Sequence, residues 1–131
     1  MALIRTPLGR ARGMGSAKHG VGHFIAQRIT AIALVFLLSW GVWSALGLAR
    51  GDYESASAWM RSPLNAAFVV LLALAAFWHM RIGMQVIIED YIAKTSTKAA
   101  LLVLNLFVCW LAGALTILAL LKVALSGVGV I

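Results

Sequence analysis

A histidine, a glycine and an Asp-Tyr pair set the first question: His79, Gly83 and Asp90-Tyr91. All stand in one long apolar run. An ionisable side chain inside a membrane-spanning helix is costly, and it usually faces a bundle interior, a cavity or a cofactor. His79 is therefore either a structural histidine bonded to a neighbouring helix or a ligand. Gly83, one turn on, removes side-chain bulk from the histidine's own face, as a flat macrocycle requires. Close helix packing explains a glycine there equally well. Eleven residues at about 100° each bring Asp90 back to within about 20° of His79, and Val86 falls on the same stripe. The stripe is about 16 Å long by its rise. It joins a mid-membrane position to the helix end, where a tyrosine hydroxyl beside a carboxylate suits protonation of a carbonyl compound. An interfacial tyrosine beside a solvated aspartate is the plainer reading of that pair.

Arg28 and Arg81 form the third set. Guanidinium groups pair bidentately with carboxylates, and a heme has two propionates. Snorkelling toward lipid phosphate is the alternative. Glu89 and Asp90 are adjacent, so they point to different faces. There is no phosphate-binding glycine loop and no Ser/His/Asp order. The single cysteine, Cys109, lies in an apolar run and reads as a helix residue, without a disulfide or zinc spacing.

The elements that must hold these residues follow from composition. The chain has 131 residues, 63% hydrophobic and only 11% charged. That suits a chain whose solvent is lipid, and a spanning helix needs about 20 apolar residues. The reading is an all-α integral membrane protein with three transmembrane helices at about 24–49, 63–92 and 99–125. Residues 1–22, with four basic residues, five glycines and no acid, read as a tail, and residues 23–131 as one membrane domain. The tail lacks the cleavage site of a secretory signal, and it is short and glycine-rich for a transit peptide, so it reads as a mature bacterial N-terminus. Ser57 to Met60 is expected to form a short interfacial turn, with Tyr53 and Trp59 at the membrane boundary. Ser62-Pro63 opens the second helix, since proline is harmless in a first turn.

The formal net charge is +7, from 11 Lys plus Arg against 4 Asp plus Glu. The basic residues are not interleaved with aromatics on one soluble surface, so nucleic acid is not the expected partner; anionic lipid is. The tail with Arg28 holds five of them, and Lys94 and Lys98 flank the second connection. Arg50, Arg61 and Lys122 belong to the other side. The positive-inside rule then places the N-terminus in the cytoplasm, in a bacterial inner membrane.

The run His79-Met-Arg-Ile-Gly-Met-Gln-Val-Ile-Ile-Glu-Asp90-Tyr91 resembles the signature of the small hydrophobic membrane-anchor subunit of succinate dehydrogenase. That family has a helix-two histidine, a glycine four on, and Asp-Tyr eleven and twelve on. Gly20-Val-Gly-His-Phe-Ile-Ala-Gln-Arg28-Ile-Thr-Ala-Ile32 resembles its first-helix entry, which ends in Arg-x-Thr-Ala. The resemblance covers all three helices in order. It implies that the three helices are part of a larger heterodimeric bundle. It implies a heme b shared with a partner cytochrome b chain, with His79 as this chain's axial iron ligand and Gly83 packing against the macrocycle. It implies ubiquinone as substrate, with Tyr91 bonded to a quinone carbonyl and Asp90 beside it. Arg28 matches a basic residue near the propionates. Arg81 stands where the family has an aromatic, so its propionate role is an inference of our own. His19 and His23 receive no role. The implied partners are the cytochrome b chain, an iron–sulfur subunit and a flavoprotein, the whole as a trimer of heterotetramers. Electrons would pass from the iron–sulfur subunit to ubiquinone, and the isolated chain would catalyse nothing. No second mid-membrane histidine exists in this chain, which by itself calls for a partner. Two other functions share these features: a quinol:fumarate reductase anchor or related quinone-linked cytochrome b subunit, and a non-enzymatic scaffold or transporter protomer with His79 and Arg81 as a polar packing pair.

Overall fold

A computed structural model describes residues 6–8 and 20–126. From Gly20 onward the described residues form four helices, α1 (Gly20–Leu48), α2 (Tyr53–Arg61), α3 (Pro63–Tyr91) and α4 (Thr95–Leu125), with no strand among the described residues. Three of them, α1, α3 and α4, are long and apolar enough to cross a membrane. At 29 residues α3 is about 43 Å long, longer than the roughly 30 Å hydrocarbon core. It is the central helix and packs against both α1 and α4.

Almost nothing is fully buried. Met60, Ala73, Ile82, Ile88 and Cys109 are the buried apolar residues, whereas Trp43 is 80% exposed. A soluble domain could not tolerate this, but lipid solvates apolar side chains as well as a core does. The helices are instead held by close approach and by polar ties. A Cβ at Gly113 would lie 3.4 Å from the Phe77 ring, so glycine lets α4 come down onto α3. Asn105 Nδ2 donates to the Arg81 carbonyl at 3.0 Å across the same seam. Trp40 stacks on Trp59 at 5.7 Å between centroids and meets Phe68 at 5.1 Å, tying α1 to α2 and α3.

The structure moves three boundaries. The segment expected as a turn at Ser57 to Met60 is the nine-residue helix α2. Asp52 caps it, accepting from the Ser55 N–H at 2.9 Å, and that bond holds the Asp52 carboxyl below its usual range. Glu54 in its first turn and Arg61 in its last complement the helix dipole. Helix α1 already includes Gly20 to His23, upstream of the expected Phe24, so the end of the expected tail is helical; residues 1–5 and 9–19 of that tail lie outside the described residues. Two glycines disfavour this extra turn, but it carries His23 onto α3. Helix α4 starts at Thr95 rather than 99. Its first turn brings Lys98 Nζ to the Glu89 carbonyl at 2.8 Å, satisfying a carbonyl left open at the end of α3.

Candidate functional site

The site grows from one seam. Helices α1 and α3 run antiparallel, so His23, Gln27 and Thr30, at i, i+4 and i+7, form a polar stripe facing α3. Thr30 Oγ1 lies 2.9 Å from His79 Nδ1. Two turns nearer the helix ends, His23 Nε2 donates to Gln85 Oε1 at 3.2 Å, and Gln85 Nε2 donates to Glu89 Oε1 at 2.8 Å. A groove of about 450 Å³ opens beside these groups, lined by His23, Gln27, Gln85, Val86 and Glu89 among others. Gln27 Oε1 is buried and finds no partner among the described residues.

His79 is half-buried, about 18 Å by helix rise from the Tyr91 end of α3. Its Nδ1 is engaged by Thr30, and its Nε2 makes no hydrogen bond among the described residues. Gly83 adds no side-chain bulk on the same face; a Cβ there would make an ordinary contact with Gln27 Nε2 of α1, at 3.8 Å. A half-buried imidazole with one nitrogen anchored and the other open, beside a face without side-chain bulk, fits a flat metal macrocycle. No cluster of three or more metal-ligating side chains exists among the described residues.

Beyond Gly83, one arc of α3 stays open between α1 and α4. Gly83, Ile87, Met80, Tyr91 and Met84 fall within about 120° of arc with Asp90, and Tyr91 is 82% exposed. His79 lies at the α1 edge of this arc, bonded to Thr30, and exposed Asp90 and Tyr91 stand at the helix end.

The two arginines go elsewhere. Arg81, about 200° round α3 from His79, lies on the α4 side, where it lines a groove with Asn105 and Leu102 and another with Trp110 and Gly113. Arg28 is about 200° round α1 from Thr30; it is exposed, with its guanidinium 5.1 Å from the Phe24 ring centroid. The structure brings neither onto the His79 face. It does bring in Thr30, His23 and Gln85, which sequence reasoning left without a role. Their signal was present in the spacing of His23, Gln27 and Thr30, but only with an antiparallel partner does that stripe acquire a meaning. His19 lies outside the described residues.

The family of succinate dehydrogenase/fumarate reductase transmembrane subunits matches residues 2–123 of the chain. The chain belongs to this family. Its similarity extends to individual members. The succinate dehydrogenase hydrophobic membrane anchor subunit of Paracoccus denitrificans is 30% identical over 129 residues, covering 96% of this chain and 97% of that protein. The same subunit of Rickettsia bellii is 32% identical over 100 residues, or 76% of this chain and 80% of that one. That of Rickettsia conorii is 29% identical over 101 residues. Three apolar helices and these bacterial relatives make the chain a multi-pass bacterial membrane protein, a membrane anchor of the succinate dehydrogenase type. Membership in the transmembrane subunit family sets aside the unrelated scaffold or transporter reading.

Proposed function

We propose that this chain holds heme b through His79, together with a ligand from a partner cytochrome b chain, and helps form the ubiquinone site that receives electrons from an iron–sulfur subunit. The observation that carries this reading is the half-buried His79 with Nδ1 anchored and Nε2 open beside Gly83. When bound, heme b supplies a one-electron store within the membrane. The chain's own part is to present the Nε2 lone pair, to keep the Gly83 face clear, and to offer an open arc of α3 to the partner chain. Arg81 is left out of this assignment because it lies on the α4 side. Arg28 could serve a propionate only from its exposed side, toward the partner.

At the helix end the Tyr91 hydroxyl donates a hydrogen bond to a quinone carbonyl. That polarises the carbonyl, and Asp90 holds a proton-accepting carboxylate next to it. Both are exposed in the single chain, as residues of a site completed by other subunits would be. The positive-inside distribution puts this end, and the N-terminus, on the cytoplasmic side, where protons are taken up.

Affinity purification through a tag on this chain tests the assembly. A flavoprotein, an iron–sulfur protein and a second membrane chain should come down with it, and recovery of this chain alone from mild detergent would refute the partner assignment. Gly83→Leu tests the slot. It should assemble but lower the heme-to-protein ratio severalfold, because the leucine fills the cleared face, whereas Gly83→Ala should stay near wild type, its Cβ meeting only Gln27. Equal heme in both variants would show that this face does not pack against the macrocycle.

A further inference from the structure

We infer that Thr30 is a positioning residue that fixes the tautomer of His79, so that the iron-binding nitrogen is the one left unprotonated. The inference rests on the heme reading and deepens it.

The argument is a proton count. Thr30 Oγ1 lies 2.8 Å from the Ala26 carbonyl oxygen and 3.1 Å from the Gln27 carbonyl oxygen. Neither oxygen can donate, and two oxygens at 2.8 Å repel unless a hydrogen lies between them. The hydroxyl's single hydrogen is therefore directed at the α1 backbone. What Thr30 offers to His79 Nδ1 at 2.9 Å is a lone pair, so Nδ1 must carry the proton. In a neutral imidazole only one nitrogen is protonated, and Nε2 is left as the acceptor.

The arrangement does two things at once. It selects the tautomer that can bind a metal at Nε2, and it fixes the ring plane, because Thr30 is held by its own bond to the helix backbone. A hydrogen bond from the far ring nitrogen also raises the basicity of the ligating one. The hydroxyl back-bond costs α1 little, since it supplements a helical carbonyl rather than breaking the ladder. Valine is close to threonine in shape, and replacing the hydroxyl by a methyl should preserve packing while removing the acceptor. Serine retains the acceptor and loses only the methyl.

The test uses the purified membrane complex carrying this chain. In Thr30→Val, heme loss to added apomyoglobin should be about 10- to 100-fold faster. The heme midpoint potential should move positive, because a less basic ligand stabilises the oxidised iron less. Thr30→Ser should restore both. Wild-type heme retention and potential in Thr30→Val would overturn the inference. So would a Thr30→Ser variant as defective as Thr30→Val, since that would assign the effect to methyl packing. Failure of the heme reading itself is separable: His79→Ala would then leave the heme spectrum unchanged whatever Thr30 does.

Discussion

Replacing His79 with alanine abolishes the b-type heme signal in the reduced-minus-oxidised spectrum of the purified complex. On the proposed reading, the bond from His79 Nε2 to the iron would be the heme's direct attachment to this chain. Removing a group that only supports a metal ligand costs about 10- to 100-fold in affinity, and removing the ligand should exceed that. The fold should survive the change. His79 is half-buried, and its hydrogen bond within the chain is to Thr30, whose hydroxyl keeps its backbone carbonyl partners at Ala26 and Gln27. A bond of this kind is worth about 0.5–1.5 kcal/mol, too little to unfold three packed spans. Subunit composition and helical content should therefore match the wild type while the Soret and α bands disappear. A heme spectrum that persists unchanged would move the ligand to another chain and leave His79 as a structural tie between α1 and α3.

Replacing Tyr91 with phenylalanine separates succinate oxidation from quinone reduction. Tyr91 is 82% exposed and makes no hydrogen bond within the chain among the described residues, so losing its hydroxyl should leave stability within about 0.5 kcal/mol. Ubiquinone reductase activity should fall about 10- to 100-fold. This is the range expected when one donor is withdrawn from a carbonyl that gains negative charge, between an ordinary hydrogen bond and a dedicated oxyanion donor. Succinate oxidation by an artificial dye that bypasses the membrane site should be unaffected. Equal losses in both assays would mean that the substitution damages assembly, and equal activity in both would remove Tyr91 from the quinone site. Tyr91 and Asp90 share the open arc of α3 with Gly83, so the two variants also probe two ends of one surface. Loss of heme in the first and loss of quinone turnover in the second are distinct readouts.

How much of this was legible beforehand varies by residue. The spanning runs were plain because each helix is apolar nearly all round, and hydropathy along the chain is enough to find them. The alignment of His79, Gly83 and Asp90 followed from helical geometry alone. The helix starts were less plain. Gly20-Val-Gly reads as a loose end, yet α1 includes it, because His23 on its first turn meets Gln85 on α3. Thr-Ser-Thr reads as a connection, yet α4 begins there, with Lys98 closing onto the Glu89 carbonyl. The nine residues of α2 became a helix through the Asp52 cap and the Trp40–Trp59 stack, of which only the cap is local. Arg81 was paired with Arg28 because a guanidinium suits a propionate, yet two residues from His79 on a helix is about 200°, which puts Arg81 on the α4 side.

The sequence by itself determined that three segments cross a membrane and that one carries a histidine in line with an Asp-Tyr pair. These are properties of single segments: the apolarity of a run and the angular period of a helix. Which neighbour His79 meets, which of its nitrogens is held, and which side of α3 stays open were decided only by the tertiary structure. A helix apolar on nearly every face has no strong hydrophobic reason to turn one side inward, because lipid and protein solvate it alike. Its rotation and register are then set by a few specific contacts, here Thr30 on His79, His23 on Gln85 and Gly113 against Phe77, and such contacts exist only once the helices have met.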